Sequence, residues 1–427
     1  MLLTTTSIGW RASTRKFSAV KEQILLKGQD IICISSADWD AALWTNKQHL
    51  MSRLAETNRV LYVESVGLRR PTLAPTDRER IARRLRHYAG GPRKVPGMNL
   101  YVLSPLVIPL YHTEFMRRFN GWLLLNEVRR TAERLKMDHP ILWSYIPNAY
   151  ALSGHLSEIL TVYHCVDDLG SIAGIPSAAV RKMEERFLRT ADAVITTSRA
   201  LYDARKGTNP NTYLFTNVAD AEHFGKALRT DYPLASAMQV IPRPVAGYVG
   251  ALDAYKVDFP FLADVAQRLS QWSFVLIGPI GQGQPSTDLG ILKALPNVYL
   301  MGWTDYRDVP SYLKGFDVAL IPHLLSDYTT SSFPMKLYEY LAAGRPVVST
   351  PLPAIADVDM VRFADNPEAF AAAIVAAHQE NSPELVRRRV AEAKQHTWEA
   401  RLKSFDEVLE RVYLQRASRS PTPNGPG

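Results

Sequence analysis

The sequence predicts an α/β protein built from two doubly wound lobes that face each other across a cleft. Three observations carry this. Apolar runs of strand length alternate with amphipathic stretches of helix length, as parallel sheets covered on both faces require. That series runs twice along the 427 residues, and a proline-rich segment, 231–244, separates the two halves.

In the first half the expected strands are 31–35, 60–64, 100–103, 141–145, 161–165, 193–197 and 212–216. Helices are expected over 47–56, 114–136, 177–189 and 198–206. The second half gives strands at 246–250, 273–277, 298–300, 318–321, 346–349 and 361–364. Its helices fall at 259–270, 307–314, 334–343, 367–380 and 384–394. The domain reading is therefore an N-terminal extension (1–29), a first Rossmann-like lobe (30–230), a linker (231–244) and a second Rossmann-like lobe (245–396). A helix over 397–416 is expected to cross back onto the first lobe, ahead of a disordered Pro/Ser/Gly-rich tail, 417–427. Doubly wound sheets bind ligands at the carboxyl ends of their strands, so the site is expected between the lobes.

Composition narrows the class. A chain that is 46% hydrophobic and 22% charged can fill two cores. Two cysteines, Cys33 and Cys165, both in strand-like runs, exclude a disulfide framework or a zinc cluster and read as buried thiols. No apolar run approaches the ~20 residues of a membrane span. Arg11, Arg15 and Lys16 precede no apolar core of signal-peptide type, so the expected location is cytoplasmic. The net charge of +8 is concentrated: residues 67–94 hold nine Arg or Lys against Asp77 and Glu79, a net +7. Such a segment is either a solvated loop or a basic surface for anionic lipid, a polyanionic acceptor or nucleic acid. On the lipid reading Arg69, Arg70, Arg80, Arg83, Arg84 and Arg86, beside Ile81, Leu85 and Tyr88, attach the protein peripherally to the inner face of a membrane. Nucleic acid is not expected, because no aromatic interleaving or binding motif accompanies the arginines.

The most informative segment is 327–350, DYTTSSFPMKLYEYLAAGRPVVST. It is expected to run from a Thr/Ser-rich loop into a helix that starts at Pro334 with Ser332 as its N-cap and stops at Gly344. The helix N-terminus and the hydroxyls of Thr329, Thr330, Ser331 and Ser332 suit a diphosphate. Lys336 is a cation in a first turn, where the helix dipole disfavours one, which argues for an anionic ligand. Glu339, one turn on, is placed to accept the two hydroxyls of a ribose. The plain alternative is a solvent-exposed Lys–Glu pair.

Taken whole, the segment resembles the donor-site helix of retaining glycosyltransferases of the GT-B fold that read S-x-P-x-K-x-x-E-Y-x-A-x-G-x-P-V-V. The matching positions are Ser332, Pro334, Lys336, Glu339, Tyr340, Ala342, Gly344, Pro346, Val347 and Val348. Segment 247–252 (GYVGAL) resembles the strand and glycine turn that open the donor lobe, and 273–279 (SFVLIGP) the family's next strand. Segment 302–313 resembles the part that flanks the base, and 216–224 (TNVADAEHF) a turn near the lobe junction. Segments 31–70 and 163–169 (YHCVDDL) are similar to a bacterial subgroup of cell-surface polysaccharide glycosyltransferases, the teichuronic acid type among them.

The resemblance implies transfer of a sugar, with retention, from a nucleotide diphosphate sugar to a glycan or lipid-linked acceptor, without metal or other cofactor. It implies a donor site of Gly250, Lys256, Trp303, Thr330, Ser331, Ser332, Phe333, Lys336 and Glu339. Two departures stand out. Many relatives carry a glutamate eight positions before Glu339, where this chain has Ser331, with Asp327 a possible substitute. The relatives' phosphate-binding arginine falls on Leu252, while Lys256 matches the lysine. On the acceptor side His164 and Asp167, at the end of a strand, are catalytic candidates. Asp38, Asp40 and Trp44 are candidates for sugar stacking and hydrogen bonding. A structural histidine and ordinary loop packing are the plain alternatives. Two rival functions remain: a non-catalytic sugar-nucleotide or polysaccharide-binding protein of the same fold, and a sugar-nucleotide epimerase. A nicotinamide enzyme is not expected, since 278–283 (GPIGQG) has the wrong spacing for a dinucleotide fingerprint.

Overall fold

The computed structural model describes residues 25–65, 91–106, 113–172 and 175–419. Most of the basic segment, the start of the extension and the end of the tail lie outside the described residues.

The first lobe holds eight strands: β1 (Asp30–Ile34), β2 (Arg59–Val63), β3 (Arg93–Lys94), β4 (Leu100–Leu103), β5 (Ile141–Ser144), β6 (Leu160–Cys165), β7 (Ala193–Thr196) and β8 (Thr212–Leu214). Their order is β3-β4-β2-β1-β5-β6-β7-β8, parallel except for β3 against β4. The second lobe holds β9 (Val245–Val249), β10 (Ser273–Ile277), β11 (Val298–Gly302), β12 (Val318–Ile321), β13 (Val347–Ser349) and β14 (Val361–Phe363). These run in the order β11-β10-β9-β12-β13-β14, all parallel.

Strand residues alternate between faces, so each sheet has two cores. Ile31 and Cys33 join Val60, Tyr62, Ile141 and Trp143 on one side of the first sheet; Ile32 and Ile34 join Leu61, Val63 and Leu142 on the other. The second sheet is covered in the same way, Val275 and Ile277 on one face and Phe274 and Leu276 on the other. Gly247 in β9 is a close approach: a Cβ there would lie 2.2 Å from the ring of Phe316.

The order of each sheet reverses between β1 and β5 and between β9 and β12. The loops after these four strands therefore open the crevice in which a doubly wound sheet takes its ligand. The stretch 231–244, expected as a linker, is packed rather than loose: Met238 and Ile241 are buried in the second lobe, and Lys314 Nζ donates to the carbonyls of Arg229 and Tyr232 at 2.6 Å each. Helix α10 spans Trp398–Arg419 and buries Trp398, Phe405, Leu409 and Val412 against β1 and β5 of the first lobe.

Candidate functional site

The crevice between the lobes has a volume of about 740 Å³. From the second lobe it is lined by Gly250, Asp253, Lys256, His323, Tyr328, Ser332, Phe333, Lys336 and Glu339. The first lobe contributes Asp38, Asp40, Trp44, Lys47, Glu64 and Asp167.

Local sequence explains the placement. Helix α1 (Asn46–Leu54) opens with a capping box of Thr45 and Gln48. This sets Lys47 in the first turn, pointing at the crevice. In the second lobe Ser326 caps helix α6 (Asp327–Ser331) through a second box with Thr329, and helix α7 (Lys336–Ala342) follows. Among the other helices are α2 (Glu114–Arg134), α3 (Ser177–Thr190), α4 (Arg199–Arg205), α5 (Phe259–Arg268), α8 (Pro367–Gln379) and α9 (Pro383–Gln395).

Segment 327–331 is thus a helix and not the open loop expected, and α7 starts at Lys336 and not at Pro334. The reason is that S-D-Y-T is itself a capping sequence. Three of the four expected donor hydroxyls are consumed within this turn. Thr329 bonds the Leu324 carbonyl, Thr330 that of Ser326 at 2.7 Å, and Ser331 that of Tyr328 at 2.9 Å. Thr330 and Ser331 are not among the lining residues. Asp327 is exposed and also lies off the crevice. Only Ser332 keeps its hydroxyl in the cleft, where it donates to Asp167 Oδ1 at 3.3 Å.

Lys336 and Glu339 do share one face. Each is half-buried with an open side on the crevice, and neither forms an ion pair among the described residues. Burial lowers the Lys336 ammonium to about 8, helped by the charge of Lys256; burial raises the Glu339 carboxyl, against the pull of Lys336. The Lys336 Nζ sits 5.1 Å above the Tyr248 ring. Its stem passes over Gly250, whose φ of +147° and missing side chain make the room: a Cβ there would lie 3.2 Å from Lys336 Cε. Lys256 lies 5.7 Å from the rings of Tyr255 and Tyr328, also without a carboxylate partner among the described residues. Leu252, at the expected arginine position, is fully buried.

Several expectations are corrected here. His164 is buried among Trp143, Tyr145 and Phe405, with both ring nitrogens unpartnered among the described residues, and does not reach the crevice. It sits before the strand's last residue, and side chains alternate, so it points into the core side of the sheet. Desolvation holds it neutral. Trp303 is exposed and lines no part of the cavity; its Nε1 donates to the Ala42 carbonyl of the other lobe at 3.0 Å. The 278–283 loop, whose spacing rules out a dinucleotide fingerprint, contributes Gly278, Gln282 and Gly283 to the lining. It is pinned there by Asp253, which accepts from the amides of Gly283 and Gln284.

The sequence reading also missed residues. Lys47 is buried and pairs with Asp167 at 3.7 Å. The dipole argument that singled out Lys336 applied equally to it, since it too is a first-turn cation. Tyr328 donates to Asp167 Oδ1 at 3.1 Å, and Asn217 links Asn46 to the Phe333 carbonyl, both at 2.8 Å. His323, two residues after β12, lies beside Lys336 and Lys256 and is kept neutral by burial. In the first lobe Asp40 is tied to Arg93 at 2.5 Å, and Trp44 packs on Trp39 with ring centroids 5.1 Å apart. No group of three or more His, Cys, Asp or Glu among the described residues is arranged for a metal ion.

Comparison with known proteins gives the following. Residues 243–380 match the family described as Glycosyl transferases group 1. The provisionally assigned teichuronic acid biosynthesis glycosyltransferase TuaH of Bacillus subtilis is 29% identical over 222 residues, which is 50% of this chain and 55% of the relative. The match thus spans about half the length of that curated relative. Among solved structures, sucrose-phosphate synthase of Thermosynechococcus elongatus superposes with a TM-score of 0.66 at 16% identity, over 91% of this chain and 100% of the other. Anabaena HepE in complex with UDP-glucose gives 0.61 at 14%, over 91% and 99%. The trehalose-phosphate synthase of Burkholderia vietnamiensis gives 0.63 at 13%, over 91% and 100%. At these identities the structures speak to the fold, which is GT-B.

Proposed function

We propose that this chain, whose residues 243–380 match the group 1 glycosyl transferases and whose fold is GT-B, moves a sugar, with retention, from a nucleotide diphosphate sugar to a polysaccharide or lipid-linked acceptor. One observation carries the reading. Lys336 and Lys256 are two half-buried cations with no carboxylate partner among the described residues, converging in the crevice at the switch point of the second sheet. An ammonium pair held against its own repulsion is stabilised by a polyanion, and a diphosphate supplies one.

In this reading the two lysines offset the charge that grows on the diphosphate as the glycosidic bond to it breaks, the largest single contribution in such chemistry. Glu339 receives the ribose hydroxyls. Asp167, beside Ser332 and Lys47, faces the acceptor together with Asp38, Asp40 and Trp44. HepE has been solved with UDP and with UDP-glucose, which supports a sugar nucleotide as the donor class here. The basic segment 67–94, outside most of the described residues, is proposed to bring the protein to an anionic membrane surface.

The test is a panel of UDP-, GDP- and dTDP-sugars, read for donor hydrolysis and for transfer. Turnover of at least one donor is expected. A second reading, a sugar-nucleotide-binding protein without catalysis, is favoured by Ser331: it replaces a glutamate of relatives, and its hydroxyl is turned to Tyr328 and away from the crevice. Tight binding of UDP with no turnover of any donor would select it.

A further inference from the structure

Helix α2 is apolar on two sides. Its inner side is satisfied: Leu124, Val128 and Ala132 are buried in the first-lobe core. Gly121 is pressed on the 147–151 turn so closely that a Cβ would meet that of Ala151 at 2.7 Å. Its outer side carries Phe115, Phe119 and Trp122 at the i, i+4, i+7 spacing of one helical stripe. The three rings are stacked, with centroids 6.3 and 6.0 Å apart, and are 74%, 37% and 58% exposed. The core of this helix does not need them, and three stacked aromatics in water are an unusual expense for a monomer. Arg118 lies between them, 76% exposed and paired with Glu114 at 3.6 Å; Arg129, Arg130 and Glu133 extend the same outer surface. Leu106, after β4, is exposed as well.

Position adds meaning. β4 and β5 run parallel to the rest of the sheet, so the helix connecting them runs antiparallel to the strands. Its N-terminal half, which bears the aromatics, is at the carboxyl end of the sheet, the end that opens on the crevice.

We propose that this stripe is a lipid-contacting face, seating the first lobe on an anionic bilayer with its crevice mouth at the headgroup level. Phenylalanine and tryptophan side chains enter the boundary of headgroups and acyl chains while arginines on the same surface pair with lipid phosphates. Charge selects this occupant over a second copy of the chain. The outer face carries Arg118, Arg129 and Arg130 against Glu114 and Glu133, a net positive surface in a chain of net charge +8, which a second copy repels and an anionic surface complements. The inference deepens the acceptor half of the proposed function, since a lipid-linked acceptor presents its reactive end at that level, and it concerns residues distinct from the 67–94 segment.

The experiment uses the full chain with vesicles of phosphatidylcholine alone or mixed with phosphatidylglycerol, without donor or acceptor. Wild type is expected to co-sediment with the mixed vesicles. A Phe115→Ser, Phe119→Ser, Trp122→Ser variant is expected to lose binding about tenfold or more. Replacing Arg118, Arg129 and Arg130 by Gln should weaken binding to anionic vesicles only. All six side chains are on the surface, and an unchanged thermal transition and UDP affinity confirm the fold of each variant. Wild-type binding by the serine variant would overturn the proposal. So would a dimer in sedimentation velocity that the serine changes dissolve. A protein that binds vesicles through the stripe yet turns over no donor would leave this proposal standing and defeat the transferase reading alone.

Discussion

The phenol of Tyr328 and the carboxylate of Asp167 meet across the crevice at 3.1 Å, and they join the two lobes at the point where donor and acceptor are proposed to meet. Ser332 and Lys47 converge on the same carboxylate. A single acidic side chain thus receives one phenol, one hydroxyl and one ammonium from two lobes. Replacing Asp167 with Ala leaves the buried Lys47 uncompensated and frees both hydroxyls. The expected loss is about 2 kcal/mol in urea unfolding, with a wider lobe separation by small-angle scattering. An unchanged midpoint and radius of gyration would show that the carboxylate does not hold the lobes.

Lys336→Ala should weaken UDP binding about ten- to a hundredfold, the range for loss of a charge-assisted contact. Glu339→Ala should cost affinity for UDP more than for inorganic diphosphate, because its contact is proposed to be with the ribose. Calorimetric titration of both ligands reads this directly; equal losses for the two would remove the ribose assignment.

Affinity for UDP should depend on pH in a set direction. Burial and Lys256 lower Lys336 to about 8 in the free protein. Below that value the ammonium is present and binding is at full strength. Above it Lys336 must take up a proton on binding, so affinity falls by up to about tenfold per pH unit. Lys336→Arg, which stays charged, should flatten the curve. A wild-type profile that is level from pH 7 to 9.5 would rule out Lys336 as the titrating contact.

Restoring the relatives' acidic residue should not help. Ser331 is buried in α6, with its hydroxyl on the Tyr328 carbonyl. Ser331→Glu would force a carboxylate into that turn, and a loss of about 2 kcal/mol is expected, with no gain in transfer. A thermal transition at or above the wild-type value, with faster turnover, would mean that the side chain finds the crevice.

Gly250→Ala should act on Lys336 at a distance of one side chain. The added methyl strains a backbone at φ +147° and crowds Lys336 Cε and the Tyr248 hydroxyl. About 1–3 kcal/mol of stability should be lost, together with UDP affinity. Retained affinity would show that the lysine has another path into the crevice.

Much of this was legible because the signals are local. Buried parallel strands are short apolar runs, and the run from Ser332 to Val348 carries its own helix, stop and next strand. What escaped is of two kinds. Side-chain direction inside a fully buried strand has no polar face to mark it, so His164 read as a cleft residue although it faces Trp143 and Phe405. Partners far apart in sequence leave no trace in either segment. Asp167 and Tyr328 are 161 positions apart, and nothing near Asp167 announces that a tyrosine from the other lobe will bond it. The capping box at Ser326 was legible and was overlooked, and with it the fate of three hydroxyls.

Helix α10 gives the first lobe a peculiar timetable. Trp398, Phe405, Leu409 and Val412 are part of the same core as Ile31 and Trp143, yet the whole second lobe is translated between them. A nascent chain therefore carries an open apolar trough on its first sheet while the second lobe, contiguous in sequence, can already close. The half made first is finished last, and until residue 412 is made the first lobe's core lacks the side chains that close it.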